Sequence, residues 1–548
     1  MGIPREALIK SHMRDRNAFV PCIPVRSIGR HSTKTLRTSI GTKALRSHVR
    51  GEFYWVASAA ASAALRALPR CLPWLRRDAL HPSPPDETRV ARLNQRFPRR
   101  IASVVLAGWA AVVGTELITL ALAQTPRAPT VVAPRPDEQT VSDAYNYLLG
   151  RVLVIRQEHA DLKAPGASYN VIKYNPLGSA DFVNPNFDVA YLEAWFAVDE
   201  YTPVLLEVPE IRGRYYTAEI LDEWGEVIAN INERRFPSKP FGRFALVAPG
   251  STAKIPAGAG RIELHSNKAK MVARVELKGD PYSAVKLQRQ FKARSLGEPA
   301  IKQPPAVPMF DNNQLIGVDV FDDVDAKLSS ALDVSPIAAE MQQKVRAVAA
   351  YIQTNHEGRA AVDRQLREKV IPEFKEYAFT KSAPYRNHWV GGAQTGSYGR
   401  DYRLRTVVNY AGIWANDTDE VIYFVATRDA NEKLLNGSNS YVIHFPSDKL
   451  PNSVVNSYWS VILVGVPDYR VVPNPLNRFT LNSYSSLKAE TDGSLKISIG
   501  PKPVAGVDES NWLPAPDGKT FSLTFRTYVP KDLVKRGEWA PPAVTAVP

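Results

Sequence analysis

Cysteine is nearly missing from this chain. Of its 548 residues two are cysteine, Cys22 and Cys71, and none follows position 71. That excludes a disulfide framework, and a thiolate metal centre, for everything downstream. Metal-binding histidine patterns are missing as well. His159, His265, His356, His388 and His444 show no ligand spacing and no H-E-x-x-H occurs, so neither a metal nor a cofactor is expected. Charge of one sign is absent from most of the chain, although the formal net charge is +14. Residues 1–100 hold 20 of the 69 Lys and Arg and 6 of the 55 Asp and Glu, so basic and acidic residues balance from 101 onward. Phosphate recognition needs clustered positive charge, and nucleic acid is therefore excluded as a partner of the main body. Two catalytic signatures are lacking too. "GAQTGSYG" has its serine directly after Gly396 and reads as a turn, not as a nucleophile elbow, and "GAGAG" near Gly258 has no dinucleotide-binding context.

What is present begins with an address. "RRIASVVLAGWAAVVGTELITLALAQTP" starts at Arg99, with Arg92, Arg96, Arg99 and Arg100 as a basic flank and Ala121-Leu122-Ala123 as a small-residue cleavage pattern before Gln124. Residues 99–123 are expected to be a signal peptide. The competing reading is a retained membrane anchor, against which Glu116 stands as a costly acid at mid-bilayer depth. Membrane contact is expected only through this segment, if it is uncleaved. The expected location is the periplasm or cell envelope. Residues 1–98 are Arg-rich without a sustained amphipathic period, and read as a disordered or wrongly assigned leader. Residues 124–136 form a Pro-rich linker.

Beyond the linker, Val141, Ala144, Tyr145, Leu148, Leu149 and Val152 recur at helical spacing, with Thr140 and Asp143 resembling a capping box. Short β-rich runs follow, among them "VAYLEAWFAV", "PVLLEVPEI" and "RFALVAPG", bounded by Pro, Gly and Asn. From Asp319 to Thr380 the period turns helical again, with Ser335 and Pro336 marking a start and Ile337, Met341, Val345, Val348 and Ile352 forming one stripe. β signals resume from Tyr402, and Asp492-Gly493 before "SLKISI" predicts a hairpin. The fold class expected is mainly β: two jelly-roll-like antiparallel β-sandwich modules, 137–318 and 384–548, with an N-terminal helix and an α-helical connector at 319–383.

Candidate binding residues sit at predicted strand ends. Asn186 and Asp188 precede the strand of Tyr191, where they either line a ligand site or form an Asx-turn that starts the strand. In "GRYYTAEILDEW" alternation places Arg214, Tyr216, Ala218, Ile220 and Asp222 on one face and Tyr215, Thr217, Glu219, Leu221 and Glu223 on the other, with Trp224 beyond. Asn511 and Trp512 in "NWLPAP" present an indole in a proline-framed loop, suited either to stacking on a sugar or to packing under the loop.

The order of many short motifs resembles bacterial proteins that join two domains of unknown function, numbered 1254 and 1214. The first is matched by "PNFDVAYLEAW", "PVLLEVPEIRGRYYTAEILDEW" and "FGRFALVAPG". The second is matched by "YGRDYRLR", "ANDTDEVIYF", "YWSVILV", "NPLNRFTL", "DGSLKISI", "NWLPAP" and "FRTYVP". Val189 departs from the threonine common after the family's aspartate, and Tyr458 from the phenylalanine often found before Trp459. The resemblance implies two jelly-roll-like modules and no established reaction. It directs attention to Asn186, Asp188, Tyr191, Arg214, Tyr215, Asp222, Trp224, Asn477, Arg478, Asp492, Asn511 and Trp512. The leading functional expectation is an exported protein that binds a carbohydrate or another small polar ligand. One alternative is an envelope hydrolase or lyase acting through Asp188, Arg214 and Asp222. A structural or assembly protein is the other.

Overall fold

In the computed structural model residues 133–548 are described; the leader, the 99–123 segment and most of the linker lie outside them. Helix α1 (Glu138–Leu162) is followed by β1 (Lys173–Tyr174), β2 (Val189–Ala197), β3 (Val204–Val208), β4 (Tyr216–Leu221), β5 (Val227–Ile231), β6 (Gly242–Val247), β7 (Gly260–Glu263), β8 (Lys268–Glu276), α2 (Pro281–Gln288) and β9 (Lys292–Ser295). Next come the helices α3 (Val324–Ser329), α4 (Ala338–Thr354), α5 (His356–Gln365) and α6 (Ile371–Thr380). The rest comprises β10 (Tyr385–Arg386), β11 (Trp389–Gly391), α7 (Tyr402–Ala411), β12 (Val421–Ala426), β13 (Ser440–Phe445), β14 (Trp459–Gly465), β15 (Thr480–Asn482), β16 (Leu495–Gly500), β17 (Trp512–Pro514), β18 (Phe521–Tyr528), α8 (Asp532–Lys535) and β19 (Val544–Val547).

The strands form two sandwiches. Sheet I, ordered β1-β2-β8-β4-β5, faces sheet II, β7-β6-β3-β9; sheet III, β10-β11-β12-β18-β14-β15, faces sheet IV, β17-β16-β13-β19. Pairing is antiparallel apart from β6 with β7 and β16 with β17. The molecule is thus mainly β, with antiparallel sheets and a helical segment between the sandwiches, as the strand periodicity predicts. Alternate residues explain each core. Ala190, Leu192, Ala194 and Phe196 of β2 meet Phe244 and Leu246 of β6 in the first, whereas Leu523 and Phe525 of β18 meet Ile497 and Ile499 of β16 in the second. Trp459 and Phe525 stack there at 5.4 Å between ring centroids and an angle of 3°.

Sheets I and III are covered on their other faces too. All nine residues of β2 and all eight of β18 are buried. A third apolar cluster joins α1, Tyr191, Trp195 and Tyr215 of sheet I to Tyr458 and Tyr528 of sheet III and to α4, α6 and α7. We call the layer between sheets I and III, with its helices, the seam.

Three local expectations need correction. Helix α1 starts before Thr140, because Asp137 is its N-cap and its Oδ1 accepts from Thr140 N at 2.7 Å; Asp143 is engaged by Lys344 and Tyr402 instead. Ser335 and Pro336 form the turn ahead of α4, whose first residue is Ala338, since Ser335 offers its carbonyl and not its hydroxyl to Ala338 N. Asp492-Gly493 does make a turn, with Gly493 at φ +80°, but no strand leads directly into it, and β15, the preceding strand, pairs with β14. β16 pairs with β13, about fifty residues away, and with β17.

Candidate functional site

Strand β8 sets the character of the seam. Its residues Ala269, Met271, Ala273 and Val275 enter the first sandwich core, so Lys268, Lys270, Arg274 and Glu276 must point the other way, into a buried layer. Charges taken out of water are costly unless paired, and each finds a partner. Lys268 Nζ donates to Glu158 at 2.7 Å, while Lys270 Nζ reaches Asp161 at 2.7 Å and Glu193 at 2.8 Å. Arg274 pairs with Glu219 of β4, whose carboxyl burial pushes up to about 7 against the pull of the guanidinium. Glu276 accepts from the hydroxyl of Tyr484 and from Tyr215 N.

Helix α7 closes the seam from the side. Its Thr406 hydroxyl donates to Asn146 O at 2.7 Å, and Asn409 donates to the carbonyls of Gly150 and Trp224 at 3.1 Å. Gly150 permits this approach, because a Cβ there would lie 2.5 Å from Thr406 Oγ1. The opposite stripe of α7, Leu404, Val407, Val408 and Ala411, lines a cavity together with Phe379, Tyr423 and Val425. Its volume is about 120 Å³. A dry cavity of ~150 Å³ is known to accept benzene, so this space suits a body of about one small ring.

The polar lining of this cavity comes from sheets I and III and from Trp414, in the loop between α7 and β12. Arg526 of β18 is 3% exposed; its Nη2 donates to Asn184 O at 2.7 Å, Asn184 Oδ1 at 3.0 Å and Pro185 O at 3.2 Å. Its Nη1 is buried with no hydrogen-bond partner among the described residues. Trp414 stands at φ +65°, an uncommon backbone conformation for a bulky residue, and Arg274 Nη2 donates to its carbonyl at 2.8 Å. The indole Nε1 of Trp414 is likewise buried without a partner. Tyr191 accepts from Asn186 N at 3.0 Å, Tyr528 from Asn186 Nδ2 at 2.6 Å and Tyr423 from Asn416 N at 3.1 Å. Burial pushes the Tyr528 hydroxyl up to about 12, so this group is neutral at neutral pH.

Of the residues singled out in the sequence, Asn186, Asp188 and Tyr191 meet at the seam. Tyr191 lines the cavity, and Asn186 holds both Tyr191 and Tyr528. Asn186 also makes the Asx-turn, its Oδ1 accepting from Asp188 N at 2.7 Å. Asp188 is buried and accepts from Asn482 at 2.5 Å; burial raises its carboxyl above the ordinary value. Arg214 lies at the same end of sheet I, where its Nη1 donates to Glu276 O at 2.9 Å. Asp222 does not join them, because β4 and β8 run between and the strand rise puts it about 20 Å away. Its Oδ1 accepts from Trp224 N and Glu226 N, and Trp224 is wholly buried beneath Arg405. Asn511 and Trp512 stand in the second sandwich. The Asn511 amide bonds the backbone of Lys488 and Lys496, and the indole N–H of Trp512 donates to Gly500 O at 2.9 Å. Sequence reasoning missed Arg274, Trp414 and Arg526. A signal existed for two of them: in "KAKMVARVE" and "FSLTFRTY" a long cation sits on the polar phase of an otherwise apolar strand.

A second cavity of about 510 Å³ lies at the far end of sheet I, lined by His265, Ser266, Lys268, Ser330 and Leu332. There His265 Nδ1 meets Asp222 Oδ2 at 2.8 Å. The bond to Asp222 holds the imidazole above its ordinary pKa.

Residues 168–295 match the family described as protein of unknown function DUF1254, and residues 420–532 match a second, DUF1214, of the same description. The two matches follow each other in that order along the chain. The DUF1254 match runs from just before β1 to the end of β9, and the DUF1214 match from just before β12 into α8, so α6 and α7 fall between them. The VPA0106 protein of Vibrio parahaemolyticus has a similar fold, with a TM-score of 0.51 and 20% identity over 75% of this chain and 100% of that one. An uncharacterized protein from Burkholderia cenocepacia is more distant, at a TM-score of 0.37 and 13% identity over 76% of this chain and 91% of that one. No curated protein matches the chain.

Proposed function

We propose that this is an envelope protein that binds a small molecule in the seam cavity between its two β modules. The observation that carries this reading is the cavity itself: an apolar space lined by both family domains and by α7, with its few polar groups held by fixed hydrogen bonds. Sites of this kind bury most of a ligand's surface and take their specificity from a few placed polar groups. The carbohydrate expectation is replaced here by a ligand with an apolar body, since Asn511 and Trp512 direct their polar atoms to the backbone. Export rests on the 99–123 segment. N-terminal sequencing of the protein from its native host tests it, with a mature terminus near Gln124 expected. No helix among the described residues is long and apolar enough to cross a membrane.

Binding is tested by thermal unfolding of the full chain with toluene, a probe of one ring. A ligand specific to the native state raises the melting temperature with its concentration. The rise is expected in the natural chain and not in Ala411→Phe, which fills the space. Equal behaviour of the two proteins would count against the seam as the site.

The enzyme alternative keeps one specific support in altered form. Asp188, Arg214 and Asp222 do not converge, but the His265–Asp222 pair beside the second cavity is the geometry of an oriented general base. A hydrolase reading predicts turnover of an ester or amide that His265→Gln abolishes. Turnover unaffected by that change would remove it.

A further inference from the structure

We infer that the ligand of the seam cavity carries a carboxylate, held by Arg526 and Trp414, on a body about the size of one ring. The inference rests on the seam being a binding site and adds the chemistry of what occupies it. Two polar atoms among the cavity-lining residues are buried without a partner among the described residues, and both are N–H donors: Arg526 Nη1 and Trp414 Nε1. A buried polar group without a partner is costly, so two such donors on residues that line one cavity call for an acceptor brought by a ligand. The tyrosines repeat the pattern. Tyr191, Tyr423 and Tyr528 each accept a hydrogen bond, and no described group accepts from their hydroxyls.

Charge points the same way. Arg274 is matched by Glu219, whereas Arg526 makes no ion pair among the described residues and bonds only to neutral oxygens of Asn184 and Pro185. No carboxylate among the described residues hydrogen-bonds this guanidinium, which is 3% exposed; the buried Asp188 carboxylate acts on it only through space, and direct contact is left for an anion brought by the ligand. The walls from α7 are aliphatic, which fixes the rest of the molecule as apolar. A free inorganic anion would leave those walls uncovered, and an uncharged arene would leave the donors unmatched.

The test is calorimetric titration of the full chain with benzoate, benzamide, toluene and acetate, repeated with Arg526→Gln. Benzoate is expected to bind the natural chain at least tenfold more tightly than benzamide or toluene, and acetate more weakly than benzoate. Arg526→Gln is expected to erase the preference for benzoate while leaving toluene binding within about threefold. The ligand series on the natural chain stands by itself if that variant fails to fold. Toluene or benzamide binding as well as benzoate would overturn the carboxylate and leave the cavity reading intact. Benzoate bound equally by both proteins would place the head group elsewhere and overturn the inference. No binding of any of the four would overturn the seam as a binding site.

Discussion

The sandwich interiors and the seam are both buried, yet they are built from opposite materials. Inside the second sandwich Leu523, Phe525, Ile497 and Ile499 meet without a charge, and shape and apolar area do the holding. In the seam, strands of both sandwiches present their other faces: Arg526 of β18 lies one residue from Phe525, and Arg274 of β8 one from Ala273 and Val275. The difference teaches that burial here does not imply an apolar partner. A sandwich core tolerates any well-packed apolar set, whereas a layer of buried ions and amides is satisfied by one arrangement only.

The comparison can be broken from its apolar side first. Phe525→Ala removes a ring stacked on Trp459 and is expected to destabilise by about 4 kcal/mol, read from denaturant unfolding. Arg405→Ala tests the seam with a comparable blow. It leaves Asp333, which Arg405 grips at 2.9 and 2.8 Å, as a buried unpaired carboxylate, with an expected loss of about 3 kcal/mol. A loss below about 1 kcal/mol, the range of exposed pairs, would show the seam to be wet and the contrast to be false. Asn186→Ala should cost about 1–2 kcal/mol, since the hydroxyls of Tyr458 and Tyr528 lose their common donor. It should also weaken toluene binding, which a purely apolar core variant distant from the seam should not.

The smallest effect concerns pH. The bond to Asp222 raises the folded pKa of His265 above its ordinary 6.5. The charged pair therefore contributes fully below about pH 6.5 and is lost as pH rises through the higher folded value. The stability difference between the natural chain and His265→Gln should be largest near pH 5.5, shrink toward pH 8 and stay under about 1 kcal/mol. A difference that grows with pH would reverse the assignment.

How much of this was legible in the sequence depended on distance along the chain. Period-two alternation placed Tyr216, Ala218 and Ile220 opposite Tyr215, Thr217 and Glu219, as the structure has them, because that rule is local to one strand. Asn186 was visible as a polar residue before a strand, but not as the holder of Tyr528, which is 342 positions away. Arg526 was hidden for the same reason: its partners Asn184 and Pro185 belong to the other module. The sharp departure at Asp492-Gly493 has this origin as well, since turn chemistry predicts where a chain reverses and not which strand receives it.

Trp414 gives the cavity an optical consequence. Its indole meets that of Trp195 edge to face at 5.6 Å, with Lys270 Nζ 5.7 Å from its ring centroid, and its N–H has no acceptor among the described residues. Indole emission shifts when its N–H gains an acceptor or its surroundings change polarity. Subtracting the spectrum of Trp414→Phe therefore isolates a built-in fluorophore on the wall of the cavity, which reports occupancy without any added label.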